Sequence, residues 1–191
     1  KRPAIYKSTF SFVSKTKDLR AFIKSCSWVL RLSSLIFPSI KENSFVTLLG
    51  PSGCGKTTFT AGLLRLIKRR GMNVQPFKCG PDYIDPHYHK LSAGCESVNL
   101  DSWLASPAHV QYLYNRYAAP AEVCVVEGVM GLFDGYVKMH GSSAETARLL
   151  NIPVVLIVNA RSVAYSVAPV IYGFKHFNPE VHIVGVVFNR T

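Results

Sequence analysis

The stretch LLGPSGCGKTTFT, residues 48–60, decides the fold. Gly50, Gly53 and Gly55 precede Lys56, Thr57 and Thr58 in the spacing G-x-x-x-x-G-K-[ST]. Glycines at these places let a loop turn its backbone N–H groups toward one point, which suits a phosphate. An apolar run, FVTLL (45–49), leads into the loop, and KTTFTAGLLRLIKRR (56–70) leads away with apolar residues at helical spacing. Gly71 follows as a helix stop. Strand, glycine loop and helix in that order present the positive end of a helix dipole to an anion. The expected nucleotide-binding set is therefore Gly50, Ser52, Gly53, Cys54, Gly55, Lys56, Thr57 and Thr58. Lys56 reaches the β- and γ-phosphates in this reading, and Thr57 ligates Mg²⁺.

Outward from the loop, the composition is that of a globular chain. Of 191 residues, 48% are apolar and 17% charged, which excludes a disordered polyelectrolyte. No uninterrupted apolar run reaches the ~18 residues of an ordinary membrane span. The net charge of +11 suggests a nucleic-acid partner, but its distribution argues against one. Residues 1–44 hold nine of the 22 Lys and Arg against only Asp18 and Glu42, so the rest is mildly basic. A polyphosphate site accounts for part of that remainder. The five cysteines form no CxxC pair, and an odd count without a signal peptide fits a reducing cytoplasm. The expectation is a cytoplasmic protein with no nucleic-acid or membrane partner. Residues 1–44 form a basic extension to which no role is assigned.

Beyond residue 45 the chain alternates. Strands are read at NVQPF (73–77), EVCVVE (122–127), PVVLIVNA (153–160) and VHIVGVVFN (181–189). Helices are read at 107–118, 144–150 and 162–177. Strands that are apolar throughout and alternate with helices predict an α/β fold. Its mostly parallel sheet is covered by helices on both faces, as in P-loop NTPases. Ligands in such sheets bind beyond the carboxyl ends of the strands.

Two stretches at those ends carry polar chemistry. Glu127 closes CVVEGVMG, so a carboxylate at the tip of a buried strand offers a second Mg²⁺ contact. In FKCGPDYIDPHYH (77–89), Lys78 offers a second cation, and Asp82 and Asp85 stand three apart around Tyr83. That spacing alone is weak, because Asp and Pro also simply make turns. Pro86 argues against a regular helix here, so the two carboxylates need not point the same way.

The segments LLGPSGCGKTT, VQPFKCGPDYIDPHYH, NLDSW, VVEGVMGLFDG, PVVLIVNAR and GVVFNR occur in that order. Together they resemble the ATP-binding synthetase domain of cobyrinic acid a,c-diamide synthase, over residues 45–191. The resemblance implies a fold close to dethiobiotin synthetase, with ATP and Mg²⁺ as cofactors. It implies a corrin-ring carboxylate as acceptor, amidated through acyl phosphates with ammonia drawn from glutamine. It sets Lys56, Thr57 and Lys78 on the triphosphate, and Thr57, Asp82 and Glu127 on the metal. Lys56, Lys78, Asp82, Asp85 and Glu127 form the expected catalytic group. Tyr83, Asp85, His89 and Asp101 are the expected substrate residues, and Asn189 the reader of adenine.

There are departures. The family's synthetase domain continues past the last strand read here and is followed by a glutaminase domain, and no cysteine here sits in a G-x-C-x-G-like elbow. Residues 45–191 are thus expected to be a truncated synthetase domain that depends on a glutaminase for ammonia. VNAR places Asn159 where an aspartate is common in the family. Rival acceptors are hydrogenobyrinate and a nickel-sirohydrochlorin. Rival classes are a dethiobiotin-synthetase-like carboxylase, a regulatory or partitioning ATPase, and a noncatalytic nucleotide module. The segment GPDYIDP followed by NLDSW disfavours the carboxylase, and Pro51 stands where a partitioning ATPase usually has a second lysine.

Overall fold

Glu127 ends its strand level with two neighbours, Leu48 of one strand and Lys78 of another, and this register builds the site. The structure is a computed structural model and describes residues 44–190. The basic extension read at 1–44 lies outside them, apart from Ser44. Among the described residues the elements alternate strictly: β1 Ser44–Leu49, α1 Lys56–Arg69, β2 Val74–Cys79, α2 Ile84–Ala93, β3 Val98–Leu100 and α3 Pro107–Ala118. Then come β4 Val123–Glu127, α4 Ser143–Leu150, β5 Val154–Asn159, α5 Val167–Phe177 and β6 Ile183–Asn189. The six strands form one sheet in the order β3-β2-β4-β1-β5-β6, and every pairing is parallel.

The apolar strands are buried on both faces, as their composition requires. Val123, Val125, Val155 and Ile157 pack with Phe59, Leu63, Leu64 and Ile67 of α1. Their strand neighbours Cys124, Val126, Val154, Leu156 and Val158 point the other way, toward Val110 and Tyr114 of α3 and Ala144 and Ala147 of α4. One strand thus feeds two cores, because side chains alternate across the sheet. β1 and β4 are adjacent, yet the helix after β1 covers one face and the helix after β4 the other. The crevice opens where those two exits diverge, which is where open α/β sheets bind ligands.

Sequence and structure differ at several edges. β2 runs on to Cys79, so Lys78 lies within the strand and not after it. α5 begins at Val167, because Ser162 takes a left-handed φ of 57° and the chain turns before the helix starts. The three-residue β3 is too short to show a period in the sequence.

Pro86 does not prevent a helix. It occupies the third position of α2, within the first turn, where its missing N–H would have had no partner in any case. Asp82 supports that turn, since its Oδ1 accepts from the N–H of Ile84 at 2.8 Å and of Asp85 at 3.2 Å. α2 packs against α1 on the same face of the sheet, which carries its polar residues to the loop after β1.

Candidate functional site

The loop after β1 needs its glycines for two different reasons. Gly53 and Gly55 take left-handed φ values of 74° and 89°. Gly50 has no such φ, but a Cβ there would meet the Ile157 carbonyl oxygen at 2.1 Å. Helix α1 begins directly after Gly55 and carries no acidic residue in its first turn, so no side chain of that turn opposes an anion at its positive end. Asn189, last in β6, donates from Nδ2 to the Cys54 carbonyl at 2.7 Å and so braces the loop from behind.

Lys56 is nearly buried and is held only by carbonyl oxygens: Gly50 at 2.6 Å, Pro51 at 3.1 Å and Met130 at 2.9 Å. Burial is the main cause that draws its ammonium below the ordinary lysine range, and Lys78 pulls the same way. The Met130 residue that meets it has a left-handed φ of 46°, an uncommon conformation for a long side chain. Among the described residues no ion pair anchors Lys56, so it can transfer to an incoming phosphate by giving up neutral acceptors.

Lys78 is the opposite case. Its Nζ lies 2.6 Å from Asp85, 3.2 Å from Glu127 and 3.7 Å from Asp82, and it donates to the Gly128 carbonyl at 3.0 Å. Burial alone would lower this lysine, but Glu127 and Asp85 outweigh it and hold the ammonium above its ordinary range. Glu127 is fully buried. Its Oε1 accepts from Thr57 Oγ1 at 2.7 Å and from Lys78, while its Oε2 meets His89 Nε2 at 2.7 Å. Burial pushes Glu127 upward, yet the His89 hydrogen bond, the Lys78 charge and the Thr57 hydroxyl outweigh it and hold the carboxyl below its usual range.

Thr57 Oγ1, from the start of α1, and Glu127 Oε1, from the end of β4, thus converge on one edge of a pocket of about 320 Å³. A hydroxyl and an ionised carboxylate are hard oxygen donors, and two of them beside a phosphate cradle fit Mg²⁺, which keeps several waters and takes few protein ligands. Asp82 and Asp85 face the same pocket.

Of the residues expected from sequence, Ser52, Gly53, Gly55, Lys56, Thr57, Thr58, Lys78, Asp82, Asp85 and Glu127 line this one space. Gly50, Cys54 and Asn189 stand behind the loop as supports. Tyr83 is 85% exposed and lies outside the lining. One expectation needs correction. His89 is fully buried between Glu127 and Ser97, so it has no surface to offer a substrate. Asp101, like Tyr83, lies outside the pocket lining, and its Oδ1 accepts from the N–H groups of Trp103 and Leu104.

Sequence reasoning missed Arg190 and Met130, which also line the pocket. Arg190 stood in view beside Asn189, whereas Met130 acts through its carbonyl, which no side-chain pattern reveals. Trp103 and Tyr136 were missed as well. Their rings meet edge to face at 4.1 Å between centroids, although both are more than half exposed. Glu145 ties their loops together by accepting from Ser102 Oγ at 3.1 Å and the Gly141 N–H at 2.6 Å.

A family model described as the CobQ/CobB/MinD/ParA nucleotide binding domain matches residues 45–191. The hydrogenobyrinate a,c-diamide synthase of Brucella suis is 48% identical over 148 residues, 77% of this chain and 34% of the relative. The cobyrinate a,c-diamide synthase of Salmonella typhimurium is 43% identical over 153 residues, 79% of this chain and 33% of the relative. The chain therefore spans about a third of the length of these relatives. Among solved structures, the kinase domain of the Escherichia coli tyrosine kinase ETK matches with a TM-score of 0.61 at 13% identity, covering 93% of this chain and 81% of that one. The signal recognition particle receptor FtsY of Elizabethkingia anophelis matches with a TM-score of 0.58 at 14% identity, covering 97% and 76%. At such identities these two speak for the P-loop α/β fold alone. Among the described residues no helix is long and apolar enough to cross a membrane.

Proposed function

Because this chain belongs to the CobQ/CobB/MinD/ParA nucleotide binding domain family, we propose that it binds ATP with Mg²⁺ and uses it to activate a carboxylate for amidation. The acceptor is a corrin-type macrocycle bearing several carboxylates. The observation that carries this reading is the convergence of Lys56 and Thr57 from the start of α1, Lys78 from β2 and Glu127 from β4 on one pocket lined further by Asp82 and Asp85.

A carboxylate is a poor electrophile because oxide is a poor leaving group. Attack of a carboxylate oxygen on the γ-phosphorus breaks the bond to ADP and leaves an acyl phosphate. Ammonia then attacks the carbonyl carbon, phosphate departs, and the amide nitrogen loses its proton to solvent. Backbone N–H groups of residues 52–57 and the start of α1 hold the phosphates. Lys56 follows the γ-phosphate as charge shifts, while Lys78 supplies a fixed positive charge. Thr57 and Glu127 would hold Mg²⁺, which supplies charge neutralisation on the phosphates. No protein nucleophile is required. Burial pushes the Cys79 and Cys124 thiols up to about 11 and about 12, so neither provides a thiolate.

The reading is tested with ATP, Mg²⁺, ammonia and cobyrinate or hydrogenobyrinate, following the amide product by mass and ADP release in parallel. One ADP per amide is expected. ADP release that the macrocycle does not stimulate would argue for a simple ATPase.

Within that assay the two aspartates separate. Asp85→Asn is expected to leave nucleotide affinity nearly intact and to lower amide formation by about tenfold or more. Asp82→Asn keeps an oxygen for the two N–H groups of α2 but loses its charge, so both nucleotide affinity and amidation fall. Calorimetry of nucleotide binding beside the amidation rate decides this. Equal losses in both measurements for Asp85→Asn would make it a residue of the turn.

The exposed Trp103–Tyr136 pair offers the macrocycle an apolar face. Trp103→Ala is expected to raise the KM for the macrocycle by about fivefold or more, the worth of one lost ring contact, with the KM for ATP unchanged. An unaltered macrocycle KM would remove the pair from the acceptor site.

A further inference from the structure

His89 is a buried, titratable ring with no part in the chemistry above. It sits in α2, fully shielded from solvent, with Nε2 at 2.7 Å from Glu127 Oε2 and Nδ1 at 3.0 Å from Ser97 Oγ. The 2.7 Å contact with Glu127 is a hydrogen bond across which the ring nitrogen is the donor. Glu127 already accepts from Thr57 and Lys78 at Oε1, as a carboxylate does, so its Oε2 accepts in turn from His89 Nε2. Ser97, at the foot of β3, holds the far side of the ring. The ring is therefore gripped at both nitrogens.

The consequence falls on Glu127. A carboxylate at a strand tip can rotate and offer a metal either one oxygen or both. Here Oε2 is occupied by His89 and turned into the interior, while Oε1 lies against Thr57 at the pocket. We infer that His89 is a positioning residue that ties off Oε2, so that Glu127 can present a single oxygen, Oε1, to a divalent cation. This rests on the reading of the pocket as an Mg²⁺–nucleotide site. Single-oxygen ligation suits Mg²⁺, which demands near-octahedral geometry with several waters. Ca²⁺ readily takes both oxygens of one carboxylate in a larger shell. His89 thus sets cation preference without touching the cation.

The test uses the full chain, a non-hydrolysable ATP analogue, and Mg²⁺ or Ca²⁺ as titrant, with affinity read by calorimetry and folding by thermal melting. Glutamine can place an amide N–H near the position of the ring's Nε2, whereas asparagine places its amide near Nδ1. His89→Asn is expected to weaken Mg²⁺ binding by about 10- to 100-fold, the usual loss when a partner behind a ligand is removed. It should weaken Ca²⁺ binding less, so the Mg²⁺ preference narrows. His89→Gln is expected to restore most of the Mg²⁺ affinity, although both variants lose the ring and melt at similar temperatures. Equal Mg²⁺ losses in the two variants, or none in either, overturn the inference and make His89 a packing residue. A lower Mg²⁺ affinity with an unchanged Mg²⁺ to Ca²⁺ ratio overturns the single-oxygen geometry. If the unaltered chain binds the nucleotide with no dependence on Mg²⁺, the metal-site reading and this inference both fall.

Discussion

Replacing Lys56 with alanine is expected to lower the proposed ATP-dependent turnover by about 100- to 1,000-fold, the loss typical of removing one preorganised charge contact from a transition state. The structure explains why nothing nearby substitutes. Lys78 is already committed to Asp85, Glu127 and Asp82, so it cannot follow the γ-phosphate as charge moves. Arg190 also lines the pocket, but as an exposed residue just past the edge strand β6, where water screens its charge. The fold itself should survive. Of the carbonyls that Lys56 leaves behind, those of Pro51 and Met130 are partly buried and open to water, whereas that of Gly50 is buried, so the variant is expected to lose some stability without unfolding. The measurement is ADP release beside thermal unfolding. Retention of more than about a tenth of the rate, less than 1.4 kcal/mol of barrier, would remove Lys56 from the transferring phosphate.

The parts of this site that were legible in the sequence share one property: their chemistry is written in local spacing. The glycine loop, Lys56 and Thr57 lie within eight residues and need no knowledge of the fold. Glu127 was legible because a buried strand that ends in a carboxylate is unusual. The sheet itself followed from apolar strands alternating with helices, and the register that sets Glu127 beside both Leu48 and Lys78 is its direct product.

What stayed hidden depends on third dimensions that spacing does not encode. Pro86 reads as a helix breaker, but its effect depends on its place in the turn, and the third position of α2 tolerates it. Once that helix exists, residues 85 and 89 stand one turn apart. Asp85 reaches Lys78 from the pocket side, and His89 reaches Glu127 from the core side. A histidine that reads as a substrate ligand in sequence is thereby a support behind a carboxylate. Met130 and the Glu145 latch were invisible for a plainer reason. One acts through its backbone, and the other joins loops 43 residues apart.

Replacing Lys78 with methionine is expected to cost about 3–5 kcal/mol of folding stability near neutral pH, in addition to abolishing turnover. Lys78 and Glu127 are both buried, and Asp85 is only about one-fifth exposed. Removing the ammonium leaves Glu127 a buried carboxylate that only His89 and Thr57 address. The pH dependence follows from the signs. Glu127 lies below its ordinary range in the intact protein, so its contribution is present above the unfolded-state value and is lost as pH falls through the folded one. Lys78 lies above its range, so its contribution is present below the unfolded-state value and is lost as pH rises through the folded one. The cluster is intact between those limits. Without Lys78, the Glu127 carboxyl is driven upward by burial, and protonating it relieves the strain. The stability gap between the two proteins should therefore be widest near about pH 7 and narrow toward about pH 4, where carboxyls take up protons. Urea unfolding at both values measures it. Adding Glu127→Gln to Lys78→Met removes the stranded charge and should recover a large part of the lost stability while turnover stays absent. A gap that does not change with pH, or a double variant no more stable than the single one, would mean that Lys78 contributes packing and that its charge is not what holds these strands together.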